Sequence, residues 1–316
     1  MTVRRVLTGP ALVVAAVVVA IATVTAPADV STAAESKARA TLLVTSSTGR
    51  HALFVEDEGG VVDRVDVGAA PHGVALAPND RAYVASARGV AVVDTRARRR
   101  IAFVRYRAPV GPASTGEYRP GGMGIAASPD GRFAYVGVHL DSGPGRLEVV
   151  DIRARRIVGS VAVGVRPFDV LASRDGRFAY SVDHDSYSVT VVDTKTLRTR
   201  TIRAEPLGLG AFDKPHYAAL DGSGRLLLPF QGRVLLRLDP RSGRSTRIPL
   251  TARTHQHGVA LTSHGQLMIV GTGPAGDVDG PPSISIVDVR SGEERVVRFA
   301  ASTSGSLWAA TGASRT

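Results

Sequence analysis

Histidine is the residue type in this sequence with the widest range of possible chemistry. The chain of 316 residues contains eight histidines and no cysteine. Neutral imidazole is a common nitrogen ligand of Zn²⁺ and Cu²⁺, and it can also act as a general acid or base near neutral pH. The lack of cysteine excludes disulfides, thiolate metal sites and a cysteine nucleophile. A strong metal site would therefore combine imidazole with carboxylate.

No short catalytic motif accompanies these histidines. The sequence has no G-x-S-x-G elbow, no phosphate-binding loop and no H-E-x-x-H pair. The H-x-H step at His255 and His257 is a weak local signal by itself. The fold must therefore bring the histidines together if they act as a group.

Internal repeats indicate what that fold is. Five segments share a pattern of a short apolar strand followed by a polar turn, namely PHGVALAPND (71–80), GMGIAASPDG (122–131), PFDVLASRDG (167–176), PHYAALDGSG (215–224) and QHGVALTSHG (256–265). A later strand in each unit ends in aspartate, and the series is Asp57, Asp94, Asp151, Asp193, Asp239 and Asp288. A period of roughly 40 to 50 residues with four short strands is typical of β-propeller blades. We expect each aspartate to accept backbone N–H groups in the turn after it.

The predicted fold is all-β, a single propeller of six four-stranded antiparallel blades. A seventh blade is possible if the insert at 109–121 contains strands. The first unit lacks its opening strand, and SLWAATGASR (306–315) aligns with the opening strand at 123–132. The C-terminal strand is therefore expected to complete the first blade and close the ring, which removes exposed strand edges.

The repeat also resembles a known family. The run from Ser128 to Val136, SPDGRFAYV, and the later V-V-D-T at 191–194 are similar to the YVTN repeat of YncE-like propellers, over nearly all of 41–315. The resemblance implies the propeller fold. It leaves function open, because such relatives include extracytoplasmic ligand or metal binders, lactonase-like enzymes and propellers associated with redox proteins.

In a propeller, the strand that lines the central channel opens at one mouth, where the loops between second and third strands also lie. Three of the expected opening residues are His72, His216 and His257, and the others are Met123, Phe168 and Ser306. His255 precedes His257 by two residues and therefore points to the same side of a strand. His184 and His139 lie in second-to-third-strand loops at this mouth.

The predicted metal site consists of His72, His184, His216, His255 and His257, and Zn²⁺ or Cu²⁺ is the expected ion. Carboxylates available near this mouth are Asp141, Asp183, Asp185, Asp213 and Glu117. The insert at 108–122 is a candidate lid, with Tyr118 as a polar contributor. Met123 and Phe168 are expected to fill one side of the channel.

Two alternatives remain open for this mouth. It could bind a small organic ligand without metal, or a protein partner. It could also belong to a lactonase- or lyase-like enzyme in which His216 or His257 acts as a general base beside Asp213 or Asp183. We favour a binding protein over an enzyme, because nothing in the sequence identifies a nucleophile or a substrate.

The first residues read as an export signal. Arg4 and Arg5 precede an apolar stretch at 11–24, and Ala26-Pro27-Ala28 fits a cleavage site, so we predict a signal peptide over 1–28. A flexible leader at 29–40 and the propeller at 41–316 would follow, with no membrane span after cleavage. The expected location is secreted or extracytoplasmic. The net charge is +11, and its arginines are expected to be solvated at blade rims, with nucleic acid an unlikely partner.

Overall fold

The computed structural model describes residues 20–21, 41–56, 59–78, 80–116, 118–208 and 214–299. Six four-stranded antiparallel sheets are arranged as the blades of a β-propeller, and neighbours in each sheet follow chain order. This confirms the all-β, six-bladed prediction. The residues of the insert between the second and third blades, as far as they are described, add no seventh blade.

The strands of blades 1 to 3 are β1 (Ala20–Ile21), β2 (Thr41–Thr45), β3 (His51–Glu56), β4 (Val61–Asp66), β5 (Val74–Ala77), β6 (Arg81–Ala85), β7 (Gly89–Asp94), β8 (Arg99–Arg105), β9 (Gly121–Ala127), β10 (Phe133–His139), β11 (Arg146–Asp151) and β12 (Arg156–Ala162). Blades 4 to 6 contain β13 (Pro167–Ala172), β14 (Phe178–Asp183), β15 (Ser188–Asp193), β16 (Thr199–Arg203), β17 (Ala219–Leu220), β18 (Leu226–Phe230), β19 (Val234–Leu238), β20 (Ser245–Pro249), β21 (Gln256–Leu261), β22 (Gln266–Gly271), β23 (Ser283–Asp288) and β24 (Glu294–Arg298).

Helix is confined, among the described residues, to one 3-10 turn at His184–Ser186. No helix within those residues is long and apolar enough to cross a membrane.

Burial explains why these segments are strands. The second and third strands of a blade are packed on both faces by neighbouring blades, so they read as continuous apolar runs such as GVAVVD in β7. Five apolar clusters, counted over the described residues, join consecutive blades from 1 to 6. The fourth strands, such as STRIP in β20, are mostly exposed.

The opening strand of blade 1 differs from the prediction. Ala20 and Ile21 pair with Leu43 and Leu42 and occupy the edge beside β2. These two residues belong to the range predicted as a signal peptide. The segment at 306–315, which was expected at this edge, lies outside the described residues, as do the leader at 29–40 and most of the predicted signal. Closure by the C-terminal strand therefore stays a prediction.

Glycine allows the innermost strands to approach each other closely around the channel. A Cβ on Gly124 in β9 would lie 2.3 Å from the Cα of Asp169 in β13, and one on Gly73 would lie 2.4 Å from the carbonyl oxygen of Met123. No side chain fits at either position. The Gly73 N–H also donates to the Met123 carbonyl at 3.0 Å, a backbone hydrogen bond between blades 2 and 3. These contacts set the narrow channel on which the site is built.

Candidate functional site

Three inner strands open with a β-bulge at the channel mouth. The register of β9 shifts at Met123-Gly124, that of β13 shifts at Phe168, and that of β21 shifts at His257. A bulge adds one residue opposite a single partner and re-aims its side chain. Met123 and Phe168 are fully buried and pack with Tyr217 in one small cluster, which confirms that they fill the channel.

Four of the five predicted histidines form a continuous chain of ring contacts at this mouth. The Nε2 atoms of His184 and His216 are 3.1 Å apart, and their ring centroids are 4.5 Å apart. His216 contacts His255 with centroids at 5.0 Å, and His255 contacts His257 at 4.5 Å. The centroids of His216 and His257 are 5.9 Å apart. Blades 4, 5 and 6 each contribute to this set, which we name the histidine cluster.

His72, the fifth predicted residue, is linked to the histidine cluster through Phe168. The Phe168 ring lies 5.8 Å from His72, 5.0 Å from His184 and 5.2 Å from His216, measured between centroids. His72 is buried and comes from blade 2. It lies at the same mouth, with the Phe168 ring as its connection to the other imidazoles.

Side chains outside the cluster orient two of its imidazoles. The Nδ1 atom of His184 lies 2.7 Å from Oδ1 of Asp185, and Nδ1 of His255 lies 3.1 Å from Oε1 of Gln231. An Nδ1–H that donates to an oxygen acceptor leaves Nε2 as the ring atom with the available lone pair. This is the arrangement that commonly surrounds metal-bound histidine.

Asp185 is itself held by two cations. Arg166 Nη1 lies 2.6 Å from its Oδ2, and Lys214 Nζ lies 2.7 Å from its Oδ1. Despite partial burial, hydrogen bonds from Lys214 and His184 keep the pKa of Asp185 below its ordinary value. The carboxylate is placed by the 3-10 turn at His184–Ser186, which Tyr187 ends in a left-handed conformation, with φ of 51°.

Burial keeps two imidazoles of the cluster, those of His184 and His216, neutral. Desolvation lowers the pKa of His184 to about 4, against the opposing effect of Asp185. His216 is 0% exposed, and burial together with neighbouring histidines moves its pKa well below the ordinary value. The neutral form is the one that can coordinate a metal or accept a proton at pH 7.

The insert between blades 2 and 3 covers part of the mouth. Tyr118 is 44% exposed, and its ring lies 5.7 Å from His184 and 5.9 Å from Phe168. The guanidinium of Arg166 lies 4.6 Å from the centre of the Tyr118 ring. Arg119, although buried, donates to the carbonyl of Gly122 at 2.7 Å and to that of Ala70, which fixes the insert to the blade rim. This position agrees with the predicted lid.

The other polar residues considered in the sequence have different environments. His139 is buried, and desolvation lowers its pKa, with Arg166 the strongest charge effect on it. Asp183 is turned into its blade, where Ser181, Thr190 and Ser188 donate to it, so it does not reach the histidines. Glu117 and Asp213 lie outside the described residues. His51 and His264 are exposed.

Sequence reasoning missed Gln231, Arg166 and Lys214. Gln231 follows β18 in the second-to-third-strand loop of blade 5, the position of His184 in blade 4. Its position within the repeat could therefore have identified Gln231 as a residue of the mouth. Arg166 precedes the opening strand of blade 4 and carries no motif.

The cluster is not a finished coordination site as it stands. No three histidine, aspartate or glutamate side chains of the described residues converge closely enough to hold a metal ion. The geometry provides instead a neutral imidazole pair with facing Nε2 atoms, and two further imidazoles within one ring contact.

Comparisons with known proteins identify the fold only. No family model matches the chain, and no curated protein matches it, so the YncE-like resemblance stays a prediction. Virginiamycin B lyase from Staphylococcus aureus is similar with a TM-score of 0.64 and 9% identity, over 92% of this chain and 86% of that one. Hydrazine synthase from Kuenenia stuttgartiensis gives a TM-score of 0.55 at 18% identity, over 82% and 92%.

The dihydro-heme d1 dehydrogenase NirN gives a TM-score of 0.56 at 17% identity, over 84% of this chain and 56% of that one. All three similarities fall below the level at which function can be carried across. Together with the six sheets, they place this chain among the β-propellers.

Proposed function

We propose that this protein is an extracytoplasmic propeller that binds Zn²⁺ or Cu²⁺ at its channel mouth. The observation that carries the proposal is the pair of Nε2 atoms of His184 and His216, 3.1 Å apart. Two nitrogens of a tetrahedral site with Zn–N of about 2.0–2.1 Å are separated by about 3.3 Å. The pair therefore has nearly the spacing that one edge of such a site requires.

The imidazoles of neighbouring histidines could become further ligands after a small movement of their rings. In a tetrahedral site made of imidazoles, ring centroids are separated by about 5 Å. His255 is 5.0 Å from His216 by this measure, and its Nδ1 is already engaged by Gln231. Asp185 and Gln231 would act as outer-shell groups that fix ring orientation and raise ligand basicity. His257 would be the fourth ligand or would border an open position.

The test uses the full chain without a purification tag, dialysed against chelator and titrated with Zn²⁺ or Cu²⁺. We expect one ion per chain, and His184→Ala should weaken its affinity by about 100-fold or more, because ligand loss exceeds the 10–100-fold effect of outer-shell changes. His264→Ala is the matched control, since His264 is exposed at a turn of the opposite face. Equal affinity of His184→Ala and the control would refute the assignment.

His216 is buried, so its replacement must be separated from misfolding. His216→Gln retains a polar side chain of similar length, and its circular dichroism and melting temperature should be compared with those of the wild type. Loss of the bound ion with an unchanged melting curve would support a ligand role for His216. Retention of the ion would remove His216 from the site.

A second candidate function is acid–base catalysis on a small cyclic substrate. The Asp185–His184 pair, with Nδ1 bonded and Nε2 directed to the cluster, is the observation that favours it. A lyase among the structural neighbours is consistent with this alternative. Turnover of a panel of lactones by metal-free protein, abolished in His184→Ala, would favour the enzyme; no turnover together with stoichiometric metal would favour the binding protein.

The proposed location rests on residues 1–28 of the sequence. Expression in an exporting host and mass spectrometry of the mature N-terminus provide the test. An N-terminus at Asp29 is expected, and an intact Met1 in exported protein would indicate an uncleaved anchor.

A further inference from the structure

A repeated turn carries positive charge on the face opposite the histidine cluster. In blades 2 to 6 the aspartate that ends the third strand accepts a backbone N–H from the four-residue loop after it, at 2.8 Å from Ala97 to Asp94 and from Ala154 to Asp151. This confirms the structural role predicted for the aspartates. The second residue of the loop is a cation in every one of these five blades, namely Arg96, Arg153, Lys195, Arg241 and Arg290. We name these five residues the basic ring.

The turn does not require a cation at this position. The residue contributes at most its backbone N–H, as Arg241 does to Asp239 at 2.9 Å and Arg290 does to Asp288 at 2.8 Å. All five side chains are exposed. Across the part of the chain that the structure describes, none of them makes a hydrogen bond or ion pair with another side chain. Arg241 and Arg290 act on the pKa of Asp175 and Asp288 only through longer-range charge effects, so the hydrogen bonding of the turn does not account for the repeated cation.

The last residue of the loop is a cation in only two of the five blades, as Arg98 and Arg155. The last loop residue adopts the left-handed conformation, with φ of 74° at Gly243 and 80° at Gly292. Glycine suits this conformation best, yet blade 3 has Arg155 there, exposed and with φ of 52°. The uncharged Leu197 adopts the same conformation in blade 4, with φ of 58°, so the repeated cation is that of the basic ring and not that of this last position.

Topology places the basic ring away from the mouth. In an antiparallel four-stranded blade the loops after the first and third strands lie at one end, and the loop after the second lies at the other. His184 follows the second strand of its blade, whereas the basic ring follows third strands. The five cations therefore lie on the opposite face in blades 2 to 6, whereas the sequence that follows the third strand of blade 1 begins with the acidic pair Asp57-Glu58.

We propose that this face binds a flexible anionic polymer of phosphodiester units. Guanidinium groups form paired hydrogen bonds with phosphate oxygens, and 39 Lys and Arg residues in this chain include only three lysines. The ring presents turns, with no helix available to enter a nucleic-acid groove, so it can contact a polymer backbone and cannot read bases. A flexible chain can follow a ring of about five contacts, whereas a straight duplex meets few of them at once.

The experiment measures binding of poly(glycerol phosphate) to the full chain by fluorescence anisotropy, with chelator present so that the histidine cluster contributes nothing. We expect log K to fall with log salt concentration with a slope of about −3.5, from about five contacts at about −0.7 each. Replacing the five ring cations by glutamine should reduce affinity on the order of 100-fold or more at 0.1 M salt and flatten the slope.

The matched control removes the same charge elsewhere. It replaces five exposed arginines of fourth strands and the mouth side, namely Arg64, Arg88, Arg105, Arg247 and Arg298. If the control binds the polymer with an affinity close to that of the wild type, the result supports the basic ring as the binding site. An equal loss in the control would show that net charge alone governs binding, and undiminished binding by the ring variant would overturn the proposal. Tighter binding of duplex DNA than of poly(glycerol phosphate) would overturn the choice of polymer.

Discussion

Replacing Asp169 with asparagine should change how protein stability depends on pH. The Asp169 carboxyl lies beside the channel and accepts the Val170 N–H at 2.8 Å and the Ala218 N–H at 3.1 Å, so it connects blades 4 and 5. Burial raises its pKa from an ordinary 3.8 to about 7, against the effect of these two hydrogen bonds. The folded state therefore holds the proton more tightly than the unfolded state does.

The sign and size of the effect follow from that difference. Between pH 3.8 and about 7 the folded chain binds more protons at this site, so its contribution to the free energy of unfolding decreases as pH rises. Each pKa unit corresponds to about 1.4 kcal/mol, which gives about 4 kcal/mol for the full difference. Asp169 borders the channel and is partly exposed, so we expect solvent to reduce this to about 2–4 kcal/mol.

The assay is urea unfolding of the full chain with chelator at pH 4.5, 6 and 8. The stability of Asp169→Asn relative to the wild type should rise by about 2–4 kcal/mol over this range. Asp141→Asn, at an exposed position, controls for loss of a carboxylate. Measuring the difference between variant and wild type cancels the opposite pH dependence of the buried histidines. A difference that stays constant from pH 4.5 to 8 would refute the reasoning.

Three further predictions concern the packing of the propeller and the histidine cluster. Gly124→Ala places a Cβ 2.3 Å from the Asp169 Cα, so it should lower the free energy of unfolding by about 2 kcal/mol or more, measured by urea titration. Asp185→Asn weakens the hydrogen bond that orients His184, so Zn²⁺ affinity should fall by about 10–100-fold in a zinc titration of the folded protein; unchanged affinity would argue against the outer-shell role. Deletion of residues 303–316 should lower the melting temperature if the C-terminal strand completes blade 1, and an unchanged melting curve would contradict that closure.

The sequence was sufficient to predict the blades because each repeat contains recognisable turn residues and an aspartate at the end of its third strand. Asp94, Asp151 and Asp193 recur at blade spacing and make the turn contacts expected of them. The positions of His184 and His216 within their blades also predicted that the two side chains lie at the same mouth, although they are 32 residues apart in the sequence. Each blade presents equivalent positions to one mouth, so position within a repeat predicts proximity where sequence distance does not.

The repeat pattern could not predict the contacts that depend on local geometry, because this geometry differs between blades. The short 3-10 turn at His184–Ser186 occurs in blade 4, and it sets both the direction of His184 and the place of Asp185. The bulge at Phe168 inserts a ring between His72 and the other histidines. Strand periodicity assigns a residue to a level of the channel, but the rotation of its side chain about the strand follows from bulges and turns that the repeat pattern does not encode.

The most direct test of the histidine cluster is anomalous diffraction at the zinc absorption edge from crystals of the full chain grown with equimolar Zn²⁺. We expect one peak at about 2.0–2.1 Å from Nε2 of both His184 and His216, with His255 or His257 as a third ligand. Data collected below the edge should lack that peak. A channel mouth without anomalous density, or zinc bound instead at the exposed His51 or His264, would contradict the account.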